Sequence, residues 1–89
     1  MDAKAFQLEI LTPSKSIFSG QVTSLVAPGA LGYLGILANH ASLMTALTSG
    51  TIAYRDPAGS TKVLRARGSG FLEVSKNQAT VLIDEIEGA

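Results

Sequence analysis

The chain has no cysteine, and that one absence removes a disulfide framework, a thiolate metal site and a cysteine nucleophile together. It also has no net charge, since seven lysines and arginines balance seven aspartates and glutamates, and the pI is near 6.5. Without a long-range field, binding to nucleic-acid phosphates or to an anionic membrane through a basic face is not expected. Histidine is almost missing. His40 stands alone, with no second nitrogen or sulfur ligand apart from Met1 and Met44, so no metal site is expected. Long apolar runs are absent too. The uncharged stretch from Ile17 to Tyr54 is broken throughout by Gly, Ser, Thr, Asn and Pro. A membrane helix needs roughly 20 predominantly apolar residues. The opening Met1-Asp2-Ala3-Lys4-Ala5 carries charge and leads into alternating residues, unlike a signal peptide.

What is present suits one small core. The 89 residues, 46% of them apolar, favour a single domain over residues 1–89, with its core at about 6–84 and short N-terminal and acidic C-terminal tails. Phe6, Leu8 and Ile10 alternate with Gln7 and Glu9, the period of a half-buried strand. Thr12-Pro13-Ser14-Lys15 breaks that pattern, Ile17 and Phe18 resume it, and Val22 to Ala27 reads as a further strand ending at Pro28-Gly29. Tyr33 to Leu37 is a short apolar strand. Leu43, Met44 and Leu47 recur at helical spacing, but the brevity of Ser42 to Leu47 favours a strand. Two hairpins follow, one turning at Asp56-Pro57-Ala58-Gly59-Ser60 and one at Lys76-Asn77-Gln78, with Gly68 and Gly70 between them. Short strands separated by turn signals every 8 to 12 residues predict an all-β sandwich or barrel.

The chemistry-bearing residues cluster between Pro28 and Gly50. Gly29, Gly32 and Gly35 are spaced like a phosphate-cradling loop, but no Lys-Ser/Thr pair follows and no helix begins there to receive an anion. Nucleotide binding is therefore not expected. His40 could fix a turn through its ring, pack at an edge or contact a partner protein. As a catalyst it would have to activate Ser42 or another hydroxyl, and the segment holds no carboxylate to support it. Asp84, Glu85 and Glu87 read as a solvated tail, and Arg65 with Arg67 as one face of a basic strand. Leu31 and Tyr33 are unusual. A glycine-flanked turn is normally polar, so apolar residues at its tip predict docking. From the residues alone, a small β-barrel that binds a ligand or forms part of an enzyme through His40 remains an alternative. A lipoyl-type carrier is a third reading, with Lys76 at a hairpin tip but without the flanking pattern of such domains.

The order and spacing of several short pieces resemble one family, the N-terminal β-sandwich domain of the epsilon subunit of F-type ATP synthases, called delta in mitochondria. These pieces are Phe18-Ser19-Gly20, Gly32, Leu34-Gly35-Ile36, Asn39-His40-Ala41 with Leu43, Thr45-Ala46-Leu47, Gly50, Gly70-Phe71-Leu72-Glu73-Val74 and Val81-Leu82. The resemblance runs from Phe6 to about Asp84 and implies a flattened sandwich of about ten mostly antiparallel strands. It also implies a non-catalytic central-stalk subunit without cofactor, metal or bound nucleotide, clamping the gamma subunit and resting on the membrane c ring. That would make it a peripheral protein on the cytoplasmic face of a bacterial inner membrane, or the equivalent organellar face, and a monomer in isolation.

Carried over position by position, the resemblance puts gamma contacts at Thr12, His40 and Ala41 and c-ring contacts at Ala30, Leu31, Gly32 and Tyr33. Relatives commonly have acidic residues where Leu31 and Tyr33 stand and a proline where Ser42 stands, which implies a more apolar c-ring contact here. Relatives also commonly continue into two helices that inhibit ATP hydrolysis and in some cases bind ATP. The chain reaches Ala89 without them, and neither self-inhibition nor nucleotide binding is expected of it.

Overall fold

Alternation in the first strand sets the pattern for the molecule. In the computed structural model, which describes residues 4–88, Phe6, Leu8 and Ile10 of β1 (Phe6–Leu11) are buried and Gln7 and Glu9 between them are only half-buried. β2 (Ser16–Val22) returns antiparallel to β1 after a turn closed at both ends by Thr12 and Lys15. Thr12 N–H donates to Lys15 O at 2.9 Å, and Lys15 N–H donates back to Thr12 O at 3.3 Å. Pro13 sits inside this turn, where no ladder amide is required of it.

β3 (Ser24–Gly29) and β4 (Gly32–Leu37) form a hairpin with Ala30 and Leu31 at its tip. β5 (Leu43–Leu47), β6 (Gly50–Arg55), β7 (Thr61–Ser75) and β8 (Gln78–Ile86) complete the chain. The turn from β6 to β7 follows the composition of Asp56 to Ser60. Asp56 Oδ1 accepts the Ser60 N–H at 2.9 Å, and Gly59 takes a φ of 96°, which glycine adopts without steric cost.

Pairing divides the strands into two layers joined by β7. Its second half pairs with β5 over Gly70–Val74 and with β8, and β8 pairs in parallel with β1, so one layer runs β2-β1-β8-β7-β5. Its first half pairs with β6, which pairs with β3 and through it β4, giving the other layer. Between the layers lies one cluster that includes Leu8, Ile10, Leu25, Ile36, Ile52, Leu72, Val81 and Ile83. Burying each such side chain stabilises the fold by about 1.5 to 3 kcal/mol, and no polar side chain among the described residues is buried with them. The molecule measures 37 × 25 × 20 Å, longest along one axis.

The expected all-β sandwich forms, with the strand favoured after Ser42, β5, among its elements and two local corrections. The described residues form eight strands where the resemblance implied about ten, and the Gly68-Ser69-Gly70 segment does not separate two hairpins. β7 runs through it, with a bulge between Arg67 and Gly70 that lets one strand serve both layers. Asp84 and Glu85 belong to β8 rather than to a tail. Ile86 is buried beside them, and the Glu87 N–H donates to Arg65 O at 2.9 Å.

Tyr54 gives the core a pH dependence. It packs on Phe18 with ring centroids 4.4 Å apart, and its pKa is raised from the ordinary value of 10.0, first by burial and then by the charge of Asp56. A raised folded-state pKa gives stability that is fully present below the unfolded pKa and lost as pH rises through the folded one. Urea midpoints should therefore stay level to about pH 9.5 and then fall. In Tyr54→Phe the alkaline fall should shrink relative to the unsubstituted chain; identical slopes would remove Tyr54 as its source.

Candidate docking surface

The structure does not gather the residues expected at the contact sites into one place. β5 separates them. His40 and Ala41 lie in the turn before it, while the β3–β4 tip is tied to its far end by the Ala30 N–H donating to Ala46 O at 2.9 Å. At about 3.4 Å per residue the two groups stand roughly 15 Å apart. Thr12 falls at the second end, because Pro13 beside it borders Ala46, Leu47, Phe71 and Leu82.

Each expected residue has a definite local role. Thr12 closes its turn, its side chain also donating to Lys15 O at 3.2 Å. His40 is half-buried, its Nδ1 lies 2.7 Å from Ala41 O and its N–H donates to Leu37 O, so the ring does fix a turn. Asn39 before it has a φ of 62°, and its N–H donates to the side chain of Asn77 at 2.7 Å. Ala41, Ala30 and Gly32 are exposed, and Leu31 projects entirely into solvent. Tyr33 does not. It stands in β4 rather than at the tip, and its hydroxyl accepts the Thr51 N–H at 2.9 Å, drawing the ring across Pro28 toward Gly50.

Between the two ends lies a surface that the sequence reading missed. Phe71 is paired with Ala46 on one side and Leu82 on the other, and the next row holds Met44, Glu73, Thr80 and Glu9. Met44, Phe71 and Leu82 are exposed at 67%, 57% and 44%, an apolar patch where an outward layer ought to be polar. A shallow depression lined by Met44, Phe71, Glu73, Thr80 and Leu82 marks its centre. Its charged strand positions are Glu9, Glu73 and Asp84, none of them a cation, and Lys76 of the β7–β8 turn stands beside Glu73 at one end. A legible signal did exist: Phe71 shares the parity of Glu73 and Ser75, and Leu82 that of Thr80 and Asp84.

The opposite layer has the other sign. Its outward face carries Val26, Leu37 and Val63 beside Arg55 and Arg65, with Tyr33 laid over it. Arg67, read as one face with Arg65, is drawn off by Glu87, whose Oε2 is 2.8 Å from its Nη2. That exposed pair raises the Arg67 pKa through its hydrogen bond and charge and adds little to stability. Among the described residues no group of His and acidic side chains could hold a metal ion.

The fold and this face define the class, a small all-β sandwich module with an apolar outward surface between two exposed turns. The comparisons with known proteins narrow that class. Residues 5–89 match the family described as ATP synthase, Delta/Epsilon chain, beta-sandwich domain, and the chain belongs to it. It is 43% identical over 89 residues to the ATP synthase epsilon chain of Pelotomaculum thermopropionicum, covering all of this chain and 65% of that one. It is 43% identical over 83 residues to that of Chlorobium limicola, covering 93% of each. The chain thus spans 55% to 65% of some relatives and 93% of others. The fold is similar to a chain of the Euglena gracilis mitochondrial ATP synthase structure with OSCP, F1 and c-ring, at a TM-score of 0.86, 18% identity and coverage of 92% of this chain and 52% of that one. It is similar also to a chain of the central stalk and c-ring structure from Tetrahymena thermophila, at 0.78, 13%, 97% and 68%.

Proposed function

We propose that this chain is a non-catalytic rotor component of an F-type ATP synthase, holding the gamma subunit to the c ring so that proton flow is coupled to ATP synthesis. The observation that carries this is the outward face of Met44, Phe71 and Leu82, bracketed by the His40 turn at one end and the Thr12 turn at the other. Gamma lies on that face, with Thr12, His40 and Ala41 at its margins. Glu9, Glu73 and Asp84 select a partner with cations opposite them, and charge at the rim governs encounter and register more than affinity. The c ring meets the Ala30-Leu31-Gly32 tip, which lies at the Thr12 end. Leu31 makes that contact apolar, and Tyr33 supports it from the side instead of reaching into it.

No nucleotide or metal takes part in this reading, and the chain sits at the membrane surface only through the complex, on the cytoplasmic face or its organellar equivalent. Immobilised gamma subunit should capture the 89-residue chain, and added c ring should join the pair. Capture of c ring only when gamma and this chain are both present is the expected result. A gamma surface that never retains the chain would contradict the proposal.

A further inference from the structure

The turn from β7 to β8 contains two consecutive non-glycine residues with left-handed backbones, Lys76 at φ 53° and Asn77 at φ 59°. A two-residue hairpin between Ser75 and Gln78 demands that geometry, and asparagine tolerates it better than most residues. The turn accounts for the backbone of Asn77 but leaves the use of its side chain open. Asn77 Oδ1 accepts the Asn39 N–H at 2.7 Å, and Nδ2 donates to Ala5 O at 3.0 Å. Its carbonyl accepts the Gln7 N–H at 3.2 Å. Since one partner is a backbone donor and the other a backbone acceptor, the amide can point only one way.

Two segments distant in sequence, residues 5–7 and the turn at Asn39, therefore converge on this one residue. Ala38 packs against the core, but residues 38–42 make few other hydrogen bonds. The His40 N–H reaches Leu37 O, three residues back, and the ring reaches Ala41 O. The bond from Asn39 to Asn77 is the one hydrogen bond among the described residues that ties this turn to a remote part of the chain before β5 begins. The turn also stands at the end of the outward face, three residues before Leu43 pairs with Val74.

We infer that Asn77 is a positioning residue, which holds the His40 turn at the end of the docking face and so sets the geometry in which gamma is met. It acts through Asn39. This rests on the docking reading above, yet the hold on the turn can be measured without any partner.

The test uses the full 89-residue chain with Asn77→Gly and Asn77→Asp. Glycine keeps the left-handed turn and removes both side-chain bonds, while aspartate keeps the acceptor for Asn39 and sets a second oxygen against Ala5 O in place of the donor. In the glycine variant the Asn39 amide should exchange about tenfold faster while the Leu72 and Val81 amides keep their wild-type rates, and gamma affinity should weaken about fivefold. The aspartate variant should restore slow exchange at Asn39 and most of the affinity, a rescue that a merely structural turn residue would not give. Unchanged Asn39 exchange in the glycine variant would overturn the inference, as would equal gamma affinity in all three chains. Failure of wild type to bind gamma while Asn39 still responds would instead overturn the docking reading and leave the hold on the turn established.

Discussion

Gly70→Ala is expected to destabilise the fold by about 3 kcal/mol or more, the largest effect of any single methyl in this chain. The backbone of Gly70 lies against β8, and a Cβ there would be driven into the Leu82 carbonyl, with the Ile83 Cα 2.9 Å away. Both obstacles are main chain in a paired strand, so no side chain can swing aside. Its φ is not in the left-handed region, and the penalty is steric rather than conformational. With a urea slope of about 1 to 1.5 kcal/mol/M for a domain of this size, the midpoint should fall by about 2 M. Gly35→Ala supplies the contrast, because the nearest atom to its added Cβ is Leu25 O at 4.0 Å and its φ is ordinary. That variant should match wild type or gain up to about 0.5 kcal/mol. Equal midpoints for the two variants would show that the close approach at Gly70 relaxes freely.

Phe71→Asp should leave the fold intact and weaken gamma binding about 100-fold. Phe71 is more than half exposed, and exposed substitutions away from special backbone sites usually change stability by less than about 0.5 kcal/mol. In the proposed complex with gamma the same position lies at the middle of the apolar patch, where a carboxylate would be buried without a partner. Val63→Asp is the control, being exposed to a similar degree on the other layer, and it should bind gamma within about threefold of wild type. Surface plasmon resonance at two salt concentrations measures both variants. Comparable losses in the two would mean that the patch has no special role.

The elements were legible in this sequence wherever one physical rule acted alone. Period two fixed β1 through Phe6, Leu8 and Ile10, and Asp56 with Gly59 fixed the β6–β7 turn. Reading failed where the same residue type serves opposite ends. Gly68 and Gly70 looked like punctuation between hairpins, but they mark the bulge at which one long strand changes layer, and Gly70 is small so that β8 can come close. Of the glycines spaced by three, Gly35 has room to spare, while a Cβ added at Gly29 would lie only 2.7 Å from Gly32 O.

Outward positions were harder still. Parity says which way Phe71 and Leu82 point but not that Met44 of another strand lies alongside, since that depends on registers the sequence does not display. The same limit applies to Tyr33, whose ring reads as a docking tip in the sequence but whose hydroxyl accepts the Thr51 N–H in the fold. His40 was legible as a turn residue, whereas Asn77, which holds that turn from 38 residues away, was visible only as a hairpin signal.

The two layers make opposite offers to a partner, carboxylates around Phe71 on one side and arginines around Val63 on the other, and this asymmetry can be read directly. Amide hydrogen exchange on the chain, free and saturated with gamma, tests the proposed docking face most directly. Protection is predicted for residues 39–46, 71–73 and 80–84, with Val26, Arg55 and Val63 exchanging as in the free chain. Protection of those last three positions with none at Met44, Phe71 and Leu82 would contradict the account.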